Sequence, residues 1–151
     1  MKNRLALLAA ALWWGSLTTV GFLVVPMLFM HLATPAIAGT MAGRLFEAQS
    51  WVSLACGLIL LMHARSQSDG RVAGGVQVTL LVVALGLLLA LLQQYAVAPR
   101  ILARENLRLW HGVGTAMHGA QWLCALIVLW RQGHQGHQQS PAAESAAYSR
   151  Q

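Results

Sequence analysis

Charge is what this sequence has least of. Only 9% of its 151 residues are charged and only four are acidic, whereas a soluble domain carries about 25% charged residues. That poverty excludes a water-exposed globular surface. The four acids, Glu47, Asp69, Glu105 and Glu144, all fall at or beyond the ends of apolar runs, so no carboxylate pair is available inside them for general acid and base work. Two cysteines cannot make a structural zinc site alone, and Cys56 and Cys124 read as small hydrophobes within apolar runs. No phosphate-cradling glycine loop and no nucleophile in register with a base is present, so the chain is not expected to be an enzyme.

What the chain has instead is grease. Apolar classes make up 57% of it, mean hydropathy is +0.56, and four long apolar runs cover 5–30, 46–63, 74–98 and 109–130. Each run reaches or approaches the length needed to cross about 30 Å of hydrocarbon at about 1.5 Å per residue. The expectation is an all-α integral membrane protein, with four transmembrane helices in an antiparallel bundle over 1–131 and a disordered polar tail over 132–151. The first run is too long for a secretory h-region, so Ala36-Ile37-Ala38 is read as part of an uncleaved chain and not as a processing site.

The ten Lys and Arg are scattered at run ends, which excludes a nucleic-acid patch and suits headgroup anchoring. An inside N-terminus collects Lys2, Arg4, Arg65, Arg71, Arg131 and Arg150 on the cytoplasmic side against Arg44, Arg100, Arg104 and Arg108, so both termini are expected in the cytoplasm. Arg100, Arg104 and Arg108 recur every four residues and predict a basic ridge on a helical continuation of span 3.

Within the runs, Pro26 predicts a kink in span 1, and Thr34-Pro35 reads as a helix cap leading a short segment through Gly39 and Gly43 into span 2. Arg44 and Glu47 are spaced to pair on that helix. In span 4, His111, Thr115, His118 and Gln121 form a polar stripe, with a small-residue ridge of Gly112, Ala116 and Ala120 beside it. Both features are expected to face protein. The two halves carry a faint echo. Val25-Pro26 parallels Ala98-Pro99, and Gln49 parallels Gln121, at offsets of 73 and 72 residues, as two pseudo-repeated hairpins would give.

Several stretches resemble a known family. Trp14-Gly15-Ser16-Leu17, Gly21-Phe22, Val25-Pro26-Met27-Leu28-Phe29, the run from Ala38 to Phe46, Ala98-Pro99 and Leu109-Trp110-His111-Gly112-Val113 are similar to small bacterial inner-membrane proteins of a domain of unknown function (DUF4149), related to eukaryotic transmembrane protein 205. The resemblance extends over about 5–131. It implies a multi-pass protein of the bacterial inner membrane and offers only a loose pointer to metal or platinum-drug tolerance. Where the family commonly has a serine after His-Gly, this chain has Gly114 and Thr115, and His118 stands where a less basic residue is expected.

Two functional readings follow. The first is a non-catalytic protein that packs through Gly39, Gly43, Gly112, Ala116 and Ala120, with Arg44, Glu47, Gln49 and Gln121 as supporting polar positions. Its partners would be the lipid bilayer and either a second copy or another membrane protein. The second is a small permease or copper-handling protein. Met-His occurs at Met30-His31, Met62-His63 and Met117-His118, where chance predicts about a quarter of one such pair. Thioether and imidazole suit Cu(I), so Met30, His31, His111, Met117 and His118 are the candidate ligands. Haem is excluded by position, since His111 and His118 share one helix and axial ligands must oppose each other.

Overall fold

The computed structural model describes residues 2–66 and 74–148, with side chains over 3–66 and 75–134. Four helices are long and apolar enough to cross a membrane: span 1 (Asn3–His31), span 2 (Pro35–Ser66), span 3 (Gly75–Leu102) and span 4 (Leu107–His134). Span 1 packs on spans 2 and 4, and span 3 packs on the same two neighbours, which makes a square antiparallel bundle. The all-α, four-span expectation holds. The polar loop expected between spans 2 and 3 lies largely in 67–73, outside the described residues.

Span 2 is longer than its apolar run. It begins at Pro35, not near residue 46, because Thr34 caps it: the Ile37 amide donates to Thr34 Oγ1 at 3.3 Å, and Pro35 loses nothing at a position without an intrahelical donor. The segment with Gly39 and Gly43 is thus the first turns of span 2 itself. The helix of span 4 also continues in its backbone to Tyr148. Residues 149–151 lie outside the described part.

The basic ridge does not form. Span 3 ends at Leu102, and Arg104 (φ 56°) and Asn106 (φ 34°) take left-handed conformations that turn the chain into span 4. Arg100 instead lies over the Trp110 ring, 4.3 Å from its centroid, and pins this turn by a cation–π contact.

Pro26 acts through a widened turn instead of a simple kink. Thr19–Val24 is π-helical, and the Val25 amide bonds to Val20 O, five residues back. A proline has no amide to donate and crowds the carbonyl four residues earlier, and a π turn absorbs that misfit. The second half repeats the device. Gln93–Val97 is π-helical, and the Ala98 amide bonds to Gln93 O just before Pro99. Donor, acceptor and proline each recur at an offset of 73 residues, so the echo in sequence is a repeat in backbone structure. Spans 1 and 3, diagonal to one another in the bundle, thus carry the same interruption at corresponding places.

At one end the core is apolar, built from Ala6, Ala9, Ala10, Trp13, Leu60, Val83 and Val128. Small residues decide its fit. Trp13 is fully buried and its Cη2 would lie 2.7 Å from a Cβ on Gly86, so only glycine on span 3 admits this ring across the diagonal. Gly57 gives the same clearance to the Leu87 side chain. In lipid, where hydrophobic burial drives little helix association, such close packing is the main source of cohesion.

Candidate functional site: a polar layer inside the bundle

Beyond Trp13, toward the proline-bearing ends of spans 1 and 3, the interior turns polar. Ser16 Oγ donates to Trp13 O at 3.0 Å, so toward Gln49 it can only accept, and Gln49 Nε2 donates to it at 3.0 Å. The same amide nitrogen lies 3.4 Å from Ser53 Oγ, and Gln121 Nε2 donates to that hydroxyl at 3.0 Å. Two glutamines on diagonal helices therefore meet on one serine. Ser53 is fully buried, and Gln49 and Gln121 are 5% and 3% exposed. The position equivalent to Ser53 in the second half is Ala125, which is why Gln121 turns to Ser53 instead of a hydroxyl on its own helix.

His118 sits one turn from Gln121 and is buried. Its Nε2 donates to Leu17 O at 3.3 Å, where the α-helix of span 1 gives way to the π segment. The ring stacks edge-on against Phe46, with centroids 5.4 Å apart. Gly21 makes room for it, since a Cβ there would overlap His118 Nε2. Trp122 Nε1 donates to Thr18 Oγ1 at 2.8 Å, and Thr18 donates in turn to Trp14 O. Spans 1, 2 and 4 are thus stitched by side-chain hydrogen bonds at one depth. Sequence spacing pointed to Gln49, His118 and Gln121. Ser16, Thr18 and Gly21 belong to a small, weakly polar surface legible in span 1, whereas Ser53 was not singled out, because its role depends on contacts between helices.

The other candidates are placed elsewhere. His111 is exposed and uses Nδ1 on Leu107 O of its own helix at 2.9 Å, and His31 does the same on Met27 O at 3.0 Å. Met30 is 70% exposed and Met117 half-buried. The stripe splits because His118 lies deep in the bundle while His111 lies at the mouth of span 4. Among the described residues, no group of three His, Cys, Asp or Glu side chains is arranged to hold a metal ion, so the proposed histidine set is not gathered.

The small-residue ridge points away from the other three spans. Gly112 and Ala116 are exposed and Ala120 half-buried, because the inward face of span 4 is taken by Gly114, His118, Gln121 and Ala125. Gly43 is exposed and Gly39 half-buried on span 2, and a Cβ at Gly39, Gly43 or Gly112 would meet nothing within 4 Å. Arg44 and Glu47 are likewise exposed, and neither carries an ion pair or hydrogen bond among the described residues.

Residues 8–109 match the family described as Domain of unknown function (DUF4149). The chain belongs to this family. It is a multi-pass protein of the bacterial inner membrane, as the family and the four spans together require. The DUF4149 match covers spans 1 to 3 and stops at the start of span 4, short of the 5–131 over which resemblance was read. His111, His118 and Gln121 therefore lie beyond it. No curated protein and no solved structure matches the chain.

Proposed function

We propose that this DUF4149 protein is a non-catalytic interaction protein of the inner membrane, which docks a second copy of itself against the outer face of span 4. The observation that supports this reading is the outward Gly112–Ala116 pair, where a partner helix would meet nothing larger than a methyl group between the exposed Leu109 and Leu123. Helices in lipid associate by such close approach, and a small-xxx-small spacing is its usual form. The first turns of span 2, with Gly39 and Gly43, offer a second small-residue surface on the diagonally opposite span. Its N- and C-termini are assigned to the cytoplasm by the distribution of Lys and Arg.

Cysteine crosslinking in native membranes tests the docking. Cys56 and Cys124 are buried, so Ala116→Cys places one accessible thiol on the proposed face. A disulfide-linked dimer on mild oxidation, lost on adding Gly112→Leu, is the expected result. A product of another mass would name a different protein as partner, and monomer alone would refute docking through this face.

A further inference from the structure

We infer that the outward face of span 2 around Arg44 and Glu47 is an interface between two copies of this chain, in which the guanidinium of each copy meets the carboxylate of the other inside the membrane. This face is distinct from the docking surface on span 4, and the inference does not rest on that reading.

Depth sets these two charges apart. The apolar run of span 2 opens at Phe46, but its helix begins at Pro35, which carries Arg44 and Glu47 inside the span. Phe46 stacks on His118, whose Nε2 bonds to Leu17 O, and Gln49 bonds to Ser16. Leu17 is the middle residue of span 1, fourteen residues from either end of Asn3–His31. Glu47 falls between Phe46 and Gln49 in the chain, so its backbone lies within about one helical turn of the middle of the bundle, and Arg44 lies one turn nearer the Pro35 end. Arg4, Arg65, Arg100, Arg108 and Arg131, by contrast, all lie within three residues of the end of a span. Both Arg44 and Glu47 are exposed, and neither has an ion pair or hydrogen bond among the described residues. A lipid-facing arginine can stretch its long stem toward the headgroups. The shorter Glu47 cannot reach them from its depth, so it needs its partner within the membrane.

Ionisable residues in membrane spans face the interior of a bundle and pair there. These two face away from the other three spans, so the bundle that encloses them is larger than one chain. Charge complementarity names the second occupant. A partner for this face has to bring an acid and a base one turn apart at the same depth, and the chain itself carries that pair. Across a twofold axis the Arg44–Glu47 contact forms twice, as an isologous interface requires. Pairing within one helix does less, because a guanidinium has five N–H donors and a single carboxylate leaves some of them facing hydrocarbon. The shape of the face agrees. Gly43 stands one turn from Glu47, and Ala48 one turn from Arg44, both exposed, and a Cβ on Gly43 would meet nothing within 4 Å. A partner backbone can therefore come close beside each charge. The Thr40 hydroxyl is spent on Ala36 O at 3.0 Å and does not compete for the acid, and Trp51, 63% exposed one turn deeper, offers the second copy an apolar ring to pack on.

Disulfide trapping between two copies tests the interface. In full-length protein with Cys56→Ala and Cys124→Ala, Ala48→Cys puts one thiol on this face, and two differently tagged forms are produced together in native membranes. Mild oxidation is expected to give a dimer carrying both tags. Glu47→Arg in both forms sets like charges against each other and should lower the yield at least about tenfold, as should Arg44→Glu in both. Glu47→Arg in one form with Arg44→Glu in the other should restore the yield to within about twofold, since each copy then supplies the charge its partner lacks. Pairing within one helix predicts no such recovery, because neither variant keeps an acid and a base on this face. Gly112→Leu, which blocks the span 4 face, should leave the yield unchanged, so the two surfaces stand or fall separately. No two-tag dimer in the parent, a product of another mass in its place, a yield that the charge reversals leave unchanged, or no recovery with both variants present in the membrane would each overturn the inference. If a charge reversal is not inserted, Glu47→Gln takes its place: a yield lowered at least about threefold supports the interface, and an unchanged yield overturns it.

Discussion

Gly21→Ala is the sharpest test of how the bundle holds His118. The new Cβ would overlap Nε2 and lie 2.9 Å from Cδ2 and 3.3 Å from Cε1, so the ring cannot remain on Leu17 O. One interhelical hydrogen bond in a membrane contributes about 0.6 kcal/mol on average and about 1.7 at most. Overpacking adds about 1–3 kcal/mol, and the helix preference of Ala over Gly returns about 0.5–1. The net cost is about 1–4 kcal/mol. Gly15→Ala is the matched control, because nothing lies within 4 Å of its Cβ, and it should be neutral or stabilising by up to about 1 kcal/mol. Both are read by SDS titration of the purified protein, following the buried Cys56 and Cys124 thiols as they become reactive on unfolding. His118→Ala should relieve Gly21→Ala, with a coupling energy of about 1–3 kcal/mol. Equal effects at positions 15 and 21, or additivity with His118→Ala, would refute the reasoning.

Ser53→Ala removes the acceptor shared by two glutamines, and in the same titration it should cost more than Ser50→Ala, whose hydroxyl serves only Phe46 O on its own helix. Trp122→Phe should lose the bond to Thr18 at a cost of about 0.6–1.7 kcal/mol, whereas Trp51→Phe, on a residue 63% exposed, should be nearly neutral. Arg100→Ala should free Trp110, giving altered indole emission and a loss of about 0.5–1 kcal/mol, while Arg108→Ala leaves the emission unchanged. Alkaline carbonate should leave the chain in the membrane pellet, and its appearance in the supernatant would overturn the four-span assignment.

The spans were legible because their signal is mean hydropathy, which needs no partner to be read. Their ends were legible only in part. Thr34-Pro35 read as a cap and does cap a helix, but hydropathy did not show that the segment through Gly39 and Gly43 is continuous with span 2. The span 3–4 turn depends on left-handed residues at Arg104 and Asn106, which a four-residue arginine spacing conceals. His118 and the glutamine pair were visible as polar residues too deep to face lipid, and they lie where that argument put them. The outward turn of Gly112 and Ala116 was not visible, because a helix with small and polar faces side by side does not declare which one the bundle takes. The π segments were foreshadowed only by their prolines, since one amide more or less per turn is settled by how the chain relieves a clash.

The lone serine on the axis makes the two hairpins unlike. Two first hairpins paired together would bring a pair of hydroxyls to the centre, and two second hairpins would bring none, leaving their amides facing methyl groups. Only the mixed pairing supplies a single oxygen for both amides to share. The two hairpins are complementary parts of one polypeptide, each carrying what the other lacks.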